Sequence, residues 1–393
     1  DKAITLQSVN GPDVTIIQGY QMPGVTNGDA AIRCVYLAER AVLSGFTLTQ
    51  GATRQGGGPW GGSPEDSSGG GVWCLSGAQV TSCKLIGNSG GRNGGGAAGG
   101  SLHRCTLTGN SANEGGGAYG GILNNCLLTG NSANRGGGAF ASEVNNCTVT
   151  GNSAIQQGGG VLAGGIYNSI LYYNNAPTDP NWVGSKGGII TFCCTTPLPA
   201  PENWHNIEAE PRFVSLAGGD FRLQADSPCI NAGSNAYAPS PTDLDGKPRV
   251  VEGTVDIGAY EFQDAGSALS YAWLQQYDLP ADGSADNADP DNDGMNNRQE
   301  WICGTCPTNA LSALRLLSAA PAGSNVAVTW QSVPSVKYFV ERSTIPGSAT
   351  PLESTNSAVV ATNLLGDPGT TTFIDTNAAA TGPFFYRVGA QFP

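Results

Sequence analysis

The chain has 393 residues, room for two or three domains, with 58 glycines and 18 Lys plus Arg against 31 Asp plus Glu, a net charge of −13. That balance argues against nucleic acid and against an anionic membrane surface as partners. No apolar run reaches transmembrane length, and no signal peptide is present, as expected of a mature chain after export and processing.

The first residues are already strand-like, and Val14 with Ile16 supplies an early strand. Leu43, Phe46 and Leu48 follow with the alternation of a half-buried strand. Residues 51–68 (GATRQGGGPWGGSPEDSS) read as a bulging loop. Then one phrase recurs four times, as VTSCKLIGNS, LHRCTLTGNS, LNNCLLTGNS and VNNCTVTGNS, so that Cys83, Cys105, Cys126 and Cys147 stand 21 or 22 positions apart. A glycine triplet follows each phrase, from Gly94-Gly95-Gly96 to Gly158-Gly159-Gly160.

A fixed period of this size means a solenoid, in which each unit buries its apolar face by stacking on the next. The unit is too short for two helices and a turn, so it is a coil of β-strands. Stacking at roughly 4.8 Å makes columns of Cys and of Leu or Val. Asn88, Asn110, Asn131 and Asn152 fall at a corner, as an amide ladder or, alternatively, as a surface for sugar contact. Glycine triplets supply φ > 0 and close backbone approach at another corner. Ile170 with Tyr172, then Ile190 with Phe192, continue the pattern. About eight coils are expected, a rod of roughly 40 Å.

The ladder cysteines are expected as buried thiols, since in-register Cβ atoms point the same way. Eleven cysteines leave at least one unpaired. Cys34 with Cys74, Cys193 or Cys194 with Cys229, and Cys303 with Cys306 are candidate disulfides of an exported protein. Free thiols are the alternative. Zinc at the C-x-x-C lacks two further ligands, and thioredoxin-like chemistry lacks its βαβ context.

Residues 227–262 read SPCINAGSNAYAPSPTDLDGKPRVVEGTVDIGAYEF. With the repeats before it, this segment resembles the closing segments of bacterial right-handed parallel β-helix proteins of the cell surface. The resemblance covers residues 1–262 and implies architecture and export but no single activity.

Residues 263–310 form a different module. Residues 268–277 suit a short helix. Asp289, Asp291, Asp293, Met295, Asn297 and Glu300 then occupy the ligand positions of a D-x-D-x-D-G-x5-E calcium loop, with Gly294 at the sharp turn. A solvated acidic linker is the bland alternative. Asp282 and Asp286 are candidates for a second ion without a diagnostic spacing. The module resembles the calcium repeats of dockerins and thrombospondin type 3 segments, which often end in a further Asp where this chain has Cys306. Calcium is expected to stiffen the connection between domains. Residues 311–393 alternate as NVAVTWQSV, KYFVERST, TTFIDT and FFYRVGAQF, which suits a small antiparallel β-sandwich resembling fibronectin type III-like domains. The fold class is therefore all-β: a right-handed parallel β-helix, a short helical calcium-binding linker, and a β-sandwich.

A glycosidase needs two carboxyl groups on one groove, but Glu114 and Glu143 stand at different repeat positions. Arg92, Arg104 and Arg135 are scattered and lack the acidic cluster of a lyase. His103 and His205 read as coil and loop residues. Asp243 and Asp245 read as turn caps packed near Arg249. The expectation is a non-enzymatic extracellular protein, a cell-surface filament subunit joined head to tail. Its rivals are a monomeric adhesin binding surface glycans through Trp60 and Trp73, and a polysaccharide lyase or glycosidase.

Overall fold

The computed structural model describes residues 3–56, 63–184, 188–199, 205–251, 253–264, 266–344, 357–378 and 383–391. It divides into two compact units, residues 1–265 with 270–272, and residues 266–269 with 273–393.

The first unit is a parallel β-helix. Two of its sheets hold eight strands each, a third holds seven and a fourth holds three. Strands one period apart pair in parallel and in register, apart from a bulge where Ser132–Arg135 meets Ser153–Gln157, so Leu102 lies between Val80 and Leu123, and Leu107 between Leu85 and Leu128. Like stacks on like: Leu43, Val80, Leu102, Leu123 and Val144 form one buried column, and Leu48, Leu85, Leu107, Leu128 and Val149 form another. The eight levels expected from the sequence are present.

The residue before each ladder cysteine turns the chain between the first two sheets. Ser82, Arg104, Asn125 and Asn146 all sit at φ between 49° and 51°. Asn tolerates this left-handed conformation better than most residues, which explains the Asn-Asn-Cys phrase. Each thiol then donates to two carbonyls. Cys126 Sγ bonds Asn124 O at 3.3 Å in its own coil and Leu102 O at 3.6 Å in the previous one. The sulfur also accepts where a backbone N–H arrives, as Cys126 N does on Cys147 Sγ at 3.3 Å. Ser169 and Cys193 prolong this column by the same bonds.

The Asn corner is buried, not a sugar-facing surface. Each Asn Oδ1 accepts the backbone N–H and the side-chain amide of the Asn one coil earlier, at 2.9–3.0 Å from Asn88 through Asn152. The ladder runs on through Asn174 to Asn181. Beside it, the glycine triplet is a steric requirement. A Cβ on Gly116 would lie 2.3 Å from Ser132 O, and Gly115 takes φ 67°.

The closing motif starts beside the last coil, with Cys229 next to Cys194, and then doubles back. Residues 234–259 run back along the rod's flank as a strap, held by the left-handed turn residues. Asn168 Nδ2 donates to Ser234 O at 2.8 Å, Asn146 Nδ2 to Tyr237 O at 2.7 Å, and Asn125 Nδ2 to Thr242 O at 3.0 Å. Residues 206–209 also pair with the last coil, with Ile207 bridged to Cys194, ahead of the hairpin Phe213–Ser215 and Asp220–Leu223. Within the strap, buried carboxylates clasp the backbone. Asp243 accepts from Lys247 N and Glu261 N, Asp256 from Asn231 N and Phe262 N, and Glu261 from Val251 N and Asp256 N. Arg249, 1% exposed, is the cation among them, 3.7 Å from Glu261.

The second unit holds the described part of the acidic-loop module from residue 266 on, apart from residues 270–272, together with an antiparallel sandwich. A Cβ on Gly304, just past the helix Asn297–Cys303, would lie 3.1 Å from Val336 and 3.3 Å from Val333 in the sandwich. The sandwich has two three-stranded sheets. They close on Val328, Trp330, Tyr338 and Val340, with Phe373 and Val388 packed alongside.

Candidate metal centre

The loop 289–300 is shaped by its own carboxylates. Asp289 Oδ1 and Oδ2 accept from Asp293 N and Gly294 N, and Asp293 Oδ1 accepts from Met295 N at 2.8 Å. Gly294 sits at φ 96°, a conformation nearly closed to other residues. An Asn296–Gln299 capping box then starts the helix Asn297–Cys303, and Gly304 ends it in the left-handed region. This helix start brings Glu300 back toward the loop.

Oxygens of Asp289, Asp291 and Asp293 all lie within 4.8 Å of one another. Glu300 faces them with 0% exposure, and neither of its carboxylate oxygens has a hydrogen-bond partner. Asp291 Oδ2, Asp293 Oδ2 and Asn297 Oδ1 are likewise buried without partners. Burial first, and then Asp291, Asp293 and Asp289, push the Glu300 carboxyl up to about 7. A buried carboxylate held against three others costs free energy unless a cation offsets it. The donors are all hard oxygens on a tight loop, so the set fits a hard divalent cation. The Met295 side chain also ties the loop to the sandwich, since its sulfur accepts from Leu314 N at 3.2 Å.

Among the described residues the neighbouring Asp282 and Asp286 do not join a group of three ligands. Asp286 accepts from Ser267 Oγ and Ala268 N, and Asp282 from Ser284 N and Oγ.

All eleven cysteines are free thiols, so the expected disulfides are corrected. Cys74 pairs in register with Leu37, which leaves Cys34 three residues away along its strand, about 10 Å at one strand rise per residue. Cys34 instead bonds Thr49 O at 3.3 Å. Cys194 and Cys229 are neighbouring thiols, and Cys194 donates to Ala209 O at 3.2 Å. Cys303 is buried on its helix, whereas Cys306 contacts Thr308 Oγ1 at 3.5 Å.

The residues weighed for catalysis are engaged elsewhere. Glu114 pairs with Arg135 at 3.0 Å, and Glu143 accepts from Asn145. His103 meets Asn124, and His205 stacks on Phe192 at 4.6 Å. Burial lowers the pKa of both imidazoles. Asp245 is held by Arg222, not by Arg249. Trp60 lies outside the described residues. Trp73 is half-buried, with the Arg33 guanidinium 6.0 Å from its ring centre. A stacked pair that sequence reading missed, Tyr119 and Phe140 at 5.5 Å, lies one coil apart with Arg135 over Phe140 at 5.3 Å. Its signal was the position two residues after each glycine triplet.

No known family, curated protein or solved structure matches the chain.

Proposed function

We propose that this chain is a non-enzymatic extracellular structural protein, a cell-surface filament subunit joined head to tail through its first coil, with calcium in the second unit. The observation that supports the reading is a strand edge that the described residues leave unpaired. Among them, Thr5–Gln7 and Ile16–Gln18 are the outermost strands of the two eight-stranded sheets, each with a neighbour on one side. Leu6 and Ile16 are 50% and 58% exposed where the equivalent residues inside the rod are buried or paired on both sides. An unpaired strand edge beside apolar side chains is a template for another chain. At the opposite end Ile207 pairs with Cys194 of the last coil, so the surface that receives the edge is not a bare coil.

Calcium is the ion this reading assigns to Asp289, Asp291, Asp293, Asn297 and Glu300, with the Met295 carbonyl completing the loop's ligand positions. It would neutralise the acidic loop and fix the helix Asn297–Cys303 against the sandwich. A second reading, a glycan-binding adhesin, is favoured by the Tyr119–Phe140 stack beside Arg135 and Glu114.

Sedimentation velocity over a concentration series tests the first reading. Large assemblies that a Leu6→Lys, Ile16→Lys double variant abolishes support it. A dimer that the same variant abolishes keeps the edge as an interface but removes the filament. A monomer at every concentration removes both.

A further inference from the structure

Three distant stretches of the first unit meet around a cavity of about 420 Å³, drawing on the N-terminal loop (Pro12), adjacent coils (Lys84, Arg104, Thr106) and the strap tip (Asp245, Tyr260). That volume falls in the roughly 300–1,000 Å³ range of small-molecule sites. The charges lining it are not equally satisfied. Asp245 receives two bonds from Arg222, at 2.8 and 3.3 Å, and Lys84 meets the exposed Asp13 at 2.5 Å. The Arg104 guanidinium makes one long bond, 3.4 Å to Thr242 Oγ1, and is in none of the ion pairs among the described residues. In a chain of net charge −13, a guanidinium outside every ion pair among the described residues is a local well for an anion, with the Asp13-paired Lys84 on the same cavity wall.

The rest of the lining narrows the anion. Asp245 disfavours a multiply charged ion such as phosphate, because a second negative charge would face a carboxylate. Thr106 and Tyr260 offer hydroxyls, and burial pushes the Tyr260 phenol up to about 12, so it keeps its proton and donates. A ligand with one carboxylate and several hydroxyls satisfies every group.

We infer that this cavity binds a carboxylated sugar, a uronic acid whose carboxylate is held by Arg104 and Lys84 and whose ring hydroxyls meet Asp245, Thr106 and Tyr260. Arg104 is a bidentate donor suited to a carboxylate. The inference is independent of whether the rods assemble.

Isothermal titration calorimetry of the full chain with galacturonate and digalacturonate tests it, with galactose, acetate and phosphate as parallel titrants. The expected result is saturable binding of the uronates, no binding of galactose, and weaker binding of acetate and phosphate. Arg104→Gln should lower uronate affinity roughly ten- to hundredfold, the worth of a charge-assisted bond. Lys84→Met, which breaks only a partly exposed pair with Asp13, should lower it several-fold, and both variants should melt near the parent. Absent uronate binding, equal affinity for acetate or phosphate, or full affinity in a folded Arg104→Gln variant would each overturn the assignment.

Discussion

Asn131 accepts two hydrogen bonds from Asn110 through a single side-chain oxygen, one from the backbone N–H at 3.0 Å and one from the side-chain amide at 2.9 Å. Its own amide donates onward to Leu107 O and Asn152, so one residue serves three coils. Asn131→Ala strands several buried groups, each costing about 1–3 kcal/mol when unpaired. Urea unfolding should show the variant destabilised by about 3 kcal/mol or more. A change under 1 kcal/mol, about the net worth of a single hydrogen bond, would mean the ladder contributes little.

Cys147 shows what the thiol column does. Its sulfur accepts Cys126 N, the role Ser169 Oγ plays for Cys147 N at 3.0 Å one coil later. Cys147→Ser should therefore be better tolerated than Cys147→Val, although valine is the closer apolar match. Valine orphans Cys126 N at a cost of about 1–3 kcal/mol. Equal stability of the two variants in urea would make the column a packing feature alone.

Thiol reactivity should divide the cysteines by burial. Desolvation raises Cys105 and Cys126 well above the usual thiol range and takes Cys74, Cys193 and Cys303 up to about 12. In native buffer at pH 8, the half-buried Cys306 should react first with an aromatic disulfide reagent. In denaturant without reductant all eleven should react. A count short by two would establish a disulfide, and the adjacent Cys194 and Cys229 are then the pair to map.

The strap carries a pH dependence of definite sign. Burial and Asp256 raise the Glu261 carboxyl despite Arg249, and burial raises Asp256, which also faces Asp243. Groups raised in the folded state bind more protons there than when unfolded. Their contribution is therefore full below the ordinary carboxylate range and is lost as pH rises through the folded values. Stability in urea should fall from mildly acidic to alkaline pH, and Glu261→Gln should flatten that slope. Arg249→Met removes the only buried cation of the cluster and should cost about 3–5 kcal/mol at neutral pH.

Calcium should act on the second unit. At about a hundred times its dissociation constant it should stabilise by about 2.7 kcal/mol. Glu300→Gln should move the two forms in opposite directions. It removes a buried carboxylate that faces Asp289, Asp291 and Asp293, so the metal-free variant should melt above its parent, while calcium should raise its melting temperature far less. Melting of both proteins in calcium and in chelator gives the comparison. An unchanged calcium shift in the variant would remove Glu300 from the ligand set.

The periodic parts of this fold are legible in sequence because each coil repeats the same physical demand. An Asn before Cys answers a left-handed turn, a second Gly in the triplet answers a carbonyl 2.3 Å away, and a corner Asn answers the backbone of its neighbour. Where the demand was met by another residue, the reading stopped early. Ser169 breaks the Cys pattern and hides Cys193 as the next rung, and Asn181 follows Asn174 after seven residues instead of a full period. The strap was legible as a motif but not as a location, because its partners are the turn residues of four earlier coils. The loop ligands followed from spacing, whereas the packing of Gly304 on Val333 and Val336 depends on a helix end meeting a distant turn.

The strand edge that the described residues of the first coil leave unpaired is the feature on which the functional account rests. Negative-stain electron microscopy of the purified chain, alongside the Leu6→Lys, Ile16→Lys variant and with calcium or chelator, tests it directly. The account expects long uniform filaments from the parent in calcium and separate short rods from the variant. Separate short rods from both, in calcium as in chelator, would contradict it.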